Sequence, residues 1–101
     1  MTIGIPVWNG RVSPLLDTAR SLMVVECDAG TEMRCRNIPI PRALPDRLAQ
    51  FISENGIGTV ICDAVSADLS ALLLQSGVSV HANRHGRPDQ LLREILIQSS
   101  H

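Results

Sequence analysis

Short apolar runs punctuate this chain, and their periods predict its elements. Over residues 2–8, Ile3, Ile5 and Val7 alternate with Thr2, Gly4 and Pro6, the two-residue period of a strand. Pro6 offers no backbone donor, so one neighbour bond is missing there unless a bulge absorbs it. Ser13-Pro14 has the form of a helix N-cap followed by proline at the first helical position, which predicts one or two helical turns over 15–20. Residues 22–27 make a second strand, and Asp28-Ala29-Gly30 a turn. The third strand, 32–38, sets Met33 and Cys35 on one face and Arg34 and Arg36 on the other, with the two sulfur residues and Cys27 expected in the core. Ile38 to Pro41 leads out as extended chain.

The second half changes period. Leu44, Leu48, Phe51 and Ile52 form one stripe of a helix over 44–55, stopped by Gly56. Residues 59–62 are apolar throughout, as a strand covered on both faces should be. Ser66 caps a helix over 67–76 with Leu69, Leu72 and Leu73 inward, and 78–80 make a fifth short strand. After a polar loop over 81–87, Pro88 opens a helix to about residue 98, with Leu91, Leu92, Ile95 and Leu96 as its buried stripe.

A tight hairpin makes the second and third strands antiparallel, and helical crossovers favour parallel, right-handed pairing of the others. The order predicts one α/β domain over 1–101: a mixed five-stranded sheet in spatial order 3-2-1-4-5, strand two antiparallel, with helices on both faces in a three-layer ribonuclease H-like arrangement. Ligands of open α/β sheets bind at carboxyl ends of strands, where the order reverses, here between strands one and four. The loops leaving that end are 9–14, 63–66 and 81–87. They carry Trp8, Asn9, Arg11, Ser13, Asp63, Ser66, His81, Asn83, Arg84, His85 and Arg87, with Cys62 at the end of strand four. Helix N-termini at Ser13, Ser66 and Pro88 could add backbone donors. Trp8 serves equally as an apolar floor for a ligand or as a cap on the core edge.

Composition narrows the classes. The core must be aliphatic, because Phe51 and Trp8 are the only aromatic residues. A net charge of −1 argues against a general nucleic-acid binder. All nine basic side chains are arginine, whose fixed fork of donors suits oxyanions, although biased composition gives the same count. Three cysteines with no CxxC spacing, and no signal-peptide pattern, fit a reducing cytoplasm, and no run is long enough for a membrane span.

"IPVWNGRVSPLLDTA", then "VICDAVS" and "GVSV", resemble the dinitrogenase iron–molybdenum cofactor biosynthesis family over nearly the whole chain. The usual Cys-Gly-Ala of the second motif is Cys62-Asp63-Ala64 here, and the aromatic that commonly precedes Asp17 is Leu16. The resemblance implies a ribonuclease H-like fold that binds an anionic molybdenum-containing metal–sulfur cluster, Fe–Mo or Mo–Cu, without catalysis. The expected cluster-binding set is Trp8, Asn9, Arg11, Ser13, Cys62, Asp63, Arg84 and Arg87, with Cys62, His81 and His85 as candidate metal ligands. A buried, inert thiol is the commoner reading of Cys62, and surface residues that of His81 and His85. Asp63 adds a negative charge beside the cleft unless it turns away or pairs with an arginine.

The expected function is therefore a nitrogen fixation-related carrier or scaffold, in metallocluster biosynthesis or storage, with a cluster-donor or acceptor protein as partner. The alternative is a non-catalytic interaction module that kept the fold and lost the cluster. A two-metal nuclease needs clustered carboxylates, and strand one supplies none.

Overall fold

Strand β1 (Thr2–Trp8) occupies the centre of the sheet and meets a different partner on each side. The structure, a computed structural model, describes residues 1–28 and 32–99, and side chains are described except at 28, 32 and 95–99. After β1 come β2 (Arg11–Val12), a 3-10 turn (Leu16–Thr18), β3 (Ser21–Asp28), β4 (Glu32–Pro39), α1 (Pro45–Glu54), β5 (Thr59–Ile61), α2 (Ala67–Gln75), β6 (Ser79–His81) and α3 (Pro88–Ser99). The sheet runs β4-β3-β1-β5-β6, with β2 attached to β1 alone. β3 is antiparallel to both β1 and β4, whereas β5 is parallel to β1 and β6. The architecture is α/β with a mixed sheet of six strands rather than five. The additional strand is β2, which follows Asn9-Gly10 directly.

That pair explains the extra strand. Val7 pairs with Val12 and Trp8 with Arg11, leaving Asn9 and Gly10 as a two-residue hairpin loop. Both have positive φ, 53° and 75°. These are the angles of a type I′ turn, for which Asn-Gly is the preferred sequence. The first connection is thus an ordinary tight hairpin, contrary to the open loop expected over 9–14.

Residues 13–18 also depart from expectation. The N–H of Ser13 donates to the Pro6 carbonyl (2.8 Å), that of Ala64 to Pro14 (3.1 Å), and that of Leu16 to Ala64 (2.9 Å). Leu15 forms an isolated parallel bridge with Ala64. With these groups committed to a neighbouring segment, no α-helix starts at Ser13, and one 3-10 turn remains. Pro6 is tolerated in a central strand for a related reason. Its carbonyl faces Ser13, so its missing N–H lies on that side, beyond the Ile3–Thr59 and Gly4–Val60 pairs that join β1 to β5.

The core has two compartments. On one face Leu22, Val24, Val60 and Cys62 pack against Leu48, Ala49 and Ile52 of α1 and Leu69 and Leu73 of α2. On the other, Ile3, Ile5, Val25 and Ile61 meet Val12 and Leu91 and Leu92 of α3. Helices therefore cover both faces. Leu44, expected in the α1 stripe, is 73% exposed. It precedes Pro45, which holds it extended (φ −68°, ψ 160°) and outside the helix. Met33 and Cys35 are exposed rather than buried, because β4 is the sheet's edge. Cys27 is half-buried against the α3-side core. The side chains of Ile95 and Leu96 in the α3 stripe, and the turn at 29–30, lie outside what is described.

Gly4 marks the tightest point of this packing. A Cβ there would lie 3.2 and 3.3 Å from Ile57 side-chain carbons and 3.4 Å from Leu22. Gly4→Ala is expected to lower stability by about 1–3 kcal/mol, read as a lower urea midpoint with an unchanged denaturant slope. An unchanged midpoint would mean that the side chain of Ile57 yields at no cost.

Candidate functional site

Three segments meet at the carboxyl ends of β1, β5 and β6, and backbone hydrogen bonds join them. The N–H of Val12 donates to Gly86 (2.9 Å), that of Asn83 to Asp63 (2.8 Å) and that of Arg84 to Cys62 (2.9 Å). A left-handed turn at Asn83, φ 61°, accompanies the last two of these bonds. With the bonds between 14–16 and Ala64, the hairpin, the segment after β5 and the 81–87 loop form one continuous lip.

Trp8 and Arg11 face each other across the hairpin, so they project from one side of it. Trp8 is 53% exposed, and Arg11, Arg84 and Arg87 are all exposed. Arg87 Nε lies 3.6 Å from Asp89, an exposed contact that leaves most of its donor fork open. Asn9 serves the turn itself. Ser13 is buried, and its N–H is spent on Pro6, so it presents nothing to a ligand through that group. Asp63 neither turns away nor meets an arginine: its carboxylate stands 4.0 Å from Nδ1 of exposed His85. His81 is half-buried at the end of β6.

Cys62 is fully buried in the compartment beneath α1 and α2. Burial, then the negative charges of Asp63 and Asp17, push its thiol up from 9.0 to about 11. At neutral pH it is a protonated sulfur inside the core. Among the described residues, no three His, Cys, Asp or Glu side chains are grouped to hold a metal ion. A groove of about 440 Å³ between α1 and α2, lined partly by Asp46, Gln50 and Glu54, shares no residue with the lip.

A residue outside the expected site organises it. Asp17, in the 3-10 turn, accepts from the N–H of Ser66 (2.8 Å) and from its Oγ–H (2.5 Å). Ser66 Oγ in turn accepts from the N–H of Leu69 (3.1 Å), capping α2. The positive end of α2 is thus already occupied by a carboxylate of the chain itself, and is not a free anion site. Sequence held one signal of this, an acidic residue 49 positions from a strong N-cap, but nothing local links the two.

Comparison with known proteins finds neither a family model nor a curated protein that matches the sequence. Solved structures do match. The apo form of the orange protein of Desulfovibrio gigas superimposes with a TM-score of 0.81 at 22% identity, covering 96% of this chain and 88% of that one. A Methanocaldococcus jannaschii protein provisionally named a dinitrogenase gives 0.71 at 13% identity, over 98% and 89%. A Thermotoga protein provisionally named NifB gives 0.72 at 15%, over 93% and 85%. The chain shares the fold of these proteins.

Two outcomes check the site's construction. Asp17→Ala should cost about 2 kcal/mol by urea unfolding, and Asp17→Asn less, since Oδ1 can still accept from Ser66. Equal stability of Asp17→Ala and the parent would show that the contact contributes nothing. For Cys62, the folded chain keeps a proton that the unfolded chain loses, so its contribution is complete below about pH 9 and is lost as pH rises towards about 11. Cys62→Ala should therefore lose less stability than the parent across that interval, and matching pH profiles would sink the assignment.

Proposed function

We propose that the chain is a small, non-catalytic carrier for an anionic molybdenum-containing metal–sulfur cluster, received from one protein and passed to another. One observation carries this reading. Arg11, Arg84 and Arg87, all exposed, stand on segments bonded directly to one another at the carboxyl end of the mixed α/β sheet. A multiply charged cluster placed there meets guanidinium forks held on stitched backbone, which suits charge-assisted contacts to sulfide or oxide. Trp8 beside Arg11 offers an apolar wall.

The buried, protonated Cys62 favours retention by charge over thiolate ligation. If a metal of the cargo is bound directly, His85 and His81 are the imidazoles at the lip, with Asp63 next to His85. Weak, outer contacts suit cargo that must leave again. The shared fold supports the reading through the relatives' names. One is described in an apo form, which presupposes a loaded one, and two are linked by name to dinitrogenase chemistry.

A second reading, a docking module without cargo, is favoured by one feature. Tryptophan and arginine side by side on an exposed hairpin are the residue types that dominate binding hot spots. Loading separates the two. The reduced protein, mixed without oxygen with a preformed molybdenum–sulfide species plus copper or iron and then desalted, is expected to retain about one cluster per chain. Arg11→Ala should lower that several-fold, and replacing Arg11, Arg84 and Arg87 together should abolish it. No retained molybdenum in any mixture, or full retention by the triple variant, would overturn the carrier reading.

A further inference from the structure

Sulfur is distributed in this molecule with a strong bias. The sequence has three methionines and three cysteines. All three methionines and two of the cysteines fall on one face of the antiparallel half of the sheet. Directly opposed residues of paired strands point to the same side. Cys27 on β3 is opposed by Met33 on β4, and Val25 by Cys35. On the other flank Met1 and Cys27 exchange both backbone hydrogen bonds, 2.8 and 3.0 Å, so Met1 is also opposite Cys27. Met1, Cys27 and Met33 thus form a row across three neighbouring strands, with Cys35 two residues further along β4. Met23 lies beyond Cys35, opposite Asn37. The sixth sulfur, Cys62, is in the other compartment.

Register also sets the spacing. Cys27 directs its N–H and C=O towards Met1, so towards β4 it faces Met33 as a non-hydrogen-bonded pair, the closer kind, with Cα atoms about 4.5 Å apart. Cys27 and Cys35 are diagonal neighbours, about 7–8 Å apart. Two side chains reaching inwards with metal–sulfur bonds of about 2.3 Å can span that diagonal. The sulfurs are also accessible: Met1 is 55% and Met33 59% exposed, Cys35 is exposed and Cys27 half-buried. Both cysteines are free thiols. The charged ladder of this hairpin, Glu26 with Arg34 and Arg36, occupies the opposite face, so no guanidinium from it competes with a cation here.

We infer that Cys27, Cys35 and Met33, with Met1 alongside, form a surface site for a soft univalent metal ion, Cu(I) being the natural occupant. The donor set chooses the ion. Two thiolates and thioethers, without imidazole or carboxylate, suit Cu(I) and not Zn(II) or harder cations. The described residues hold no group of three His, Cys, Asp or Glu ligands, so a third protein ligand here would be a methionine sulfur. Binding would displace the two thiol protons to solvent and needs no change of oxidation state. The site lies on the β3–β4 hairpin, shares no residue with the arginine lip, and stands independently of the carrier reading.

The test is an anaerobic competition titration of the reduced protein, with Cu(I) supplied as its acetonitrile complex against a chromogenic Cu(I) chelator. The expected result is about one Cu(I) per chain, with a thiolate charge-transfer band in the near ultraviolet and no comparable Zn(II) uptake. Cys35→Ser and Cys27→Ser should each weaken binding by at least about tenfold, and Met33→Leu by a smaller but measurable factor, the response a mere pair of surface thiols would not give. Circular dichroism of each variant checks that the sheet is intact. Cys35 and Met33 are exposed, so these two variants keep the test valid even if Cys27→Ser fails to fold. Failure to compete with the chelator, unchanged affinity in Cys35→Ser, or insensitivity to Met33→Leu would each overturn the assignment.

Discussion

The two halves of the sheet are joined by a short parallel seam. β1 meets β5 only at Ile3–Thr59 and Gly4–Val60. Everything before residue 40 on the sheet is antiparallel and local in sequence, and everything after it is built from helical crossovers. The seam works because Gly4 has no side chain where Ile57 and Leu22 close over it, so the core beneath α1 and α2 continues from one half into the other. Beyond the last strand pair, the contact is prolonged by the Leu15–Ala64 bridge and then by Asp17 holding Ser66. One line of contact thus runs from mid-sheet to the helix cap and places the lip at its end.

The lip is thus tied together through its backbone yet open in its side chains. Its N–H groups are largely committed to other segments: Val12 to Gly86, Arg84 to Cys62, Asn83 to Asp63. What remains for a ligand is the set of arginine forks and the Trp8–Arg11 pair. Anion affinity at such a site is electrostatic and falls with ionic strength. The helix terminus that could have strengthened it is already neutralised by Asp17. In the proposed carrier role, retention would rest on shape and on several arginines acting together.

The cysteines show how similar local patterns acquire different chemistry. Cys62 ends an apolar strand covered on both sides, and burial next to two carboxylates keeps its thiol protonated. Cys35 has an equally strand-like context but sits on the edge strand, where its face is open. Alternation alone puts Met33 and Cys35 on one side without saying whether anything covers that side. Strand periods, helix stripes and the Ser66 cap were legible because each depends on residues within a few positions. Asn9-Gly10 carries a signal of the same local kind, the preferred pair of a type I′ hairpin turn.

Sequence by itself determined the α/β class, the extents of five strands and of the three α-helices to within a residue or two, and the end of the sheet where distinctive side chains collect. These follow from period, caps and turn chemistry, which are local. Only the tertiary structure decided that Ser13 starts no helix, that Cys35 faces solvent, that Asp17 and not a ligand occupies the α2 terminus, and that most of the molecule's sulfur shares one face. Each depends on which distant segment lies alongside, and the free energy that selects that neighbour comes from packing and hydrogen bonds between residues far apart in the chain.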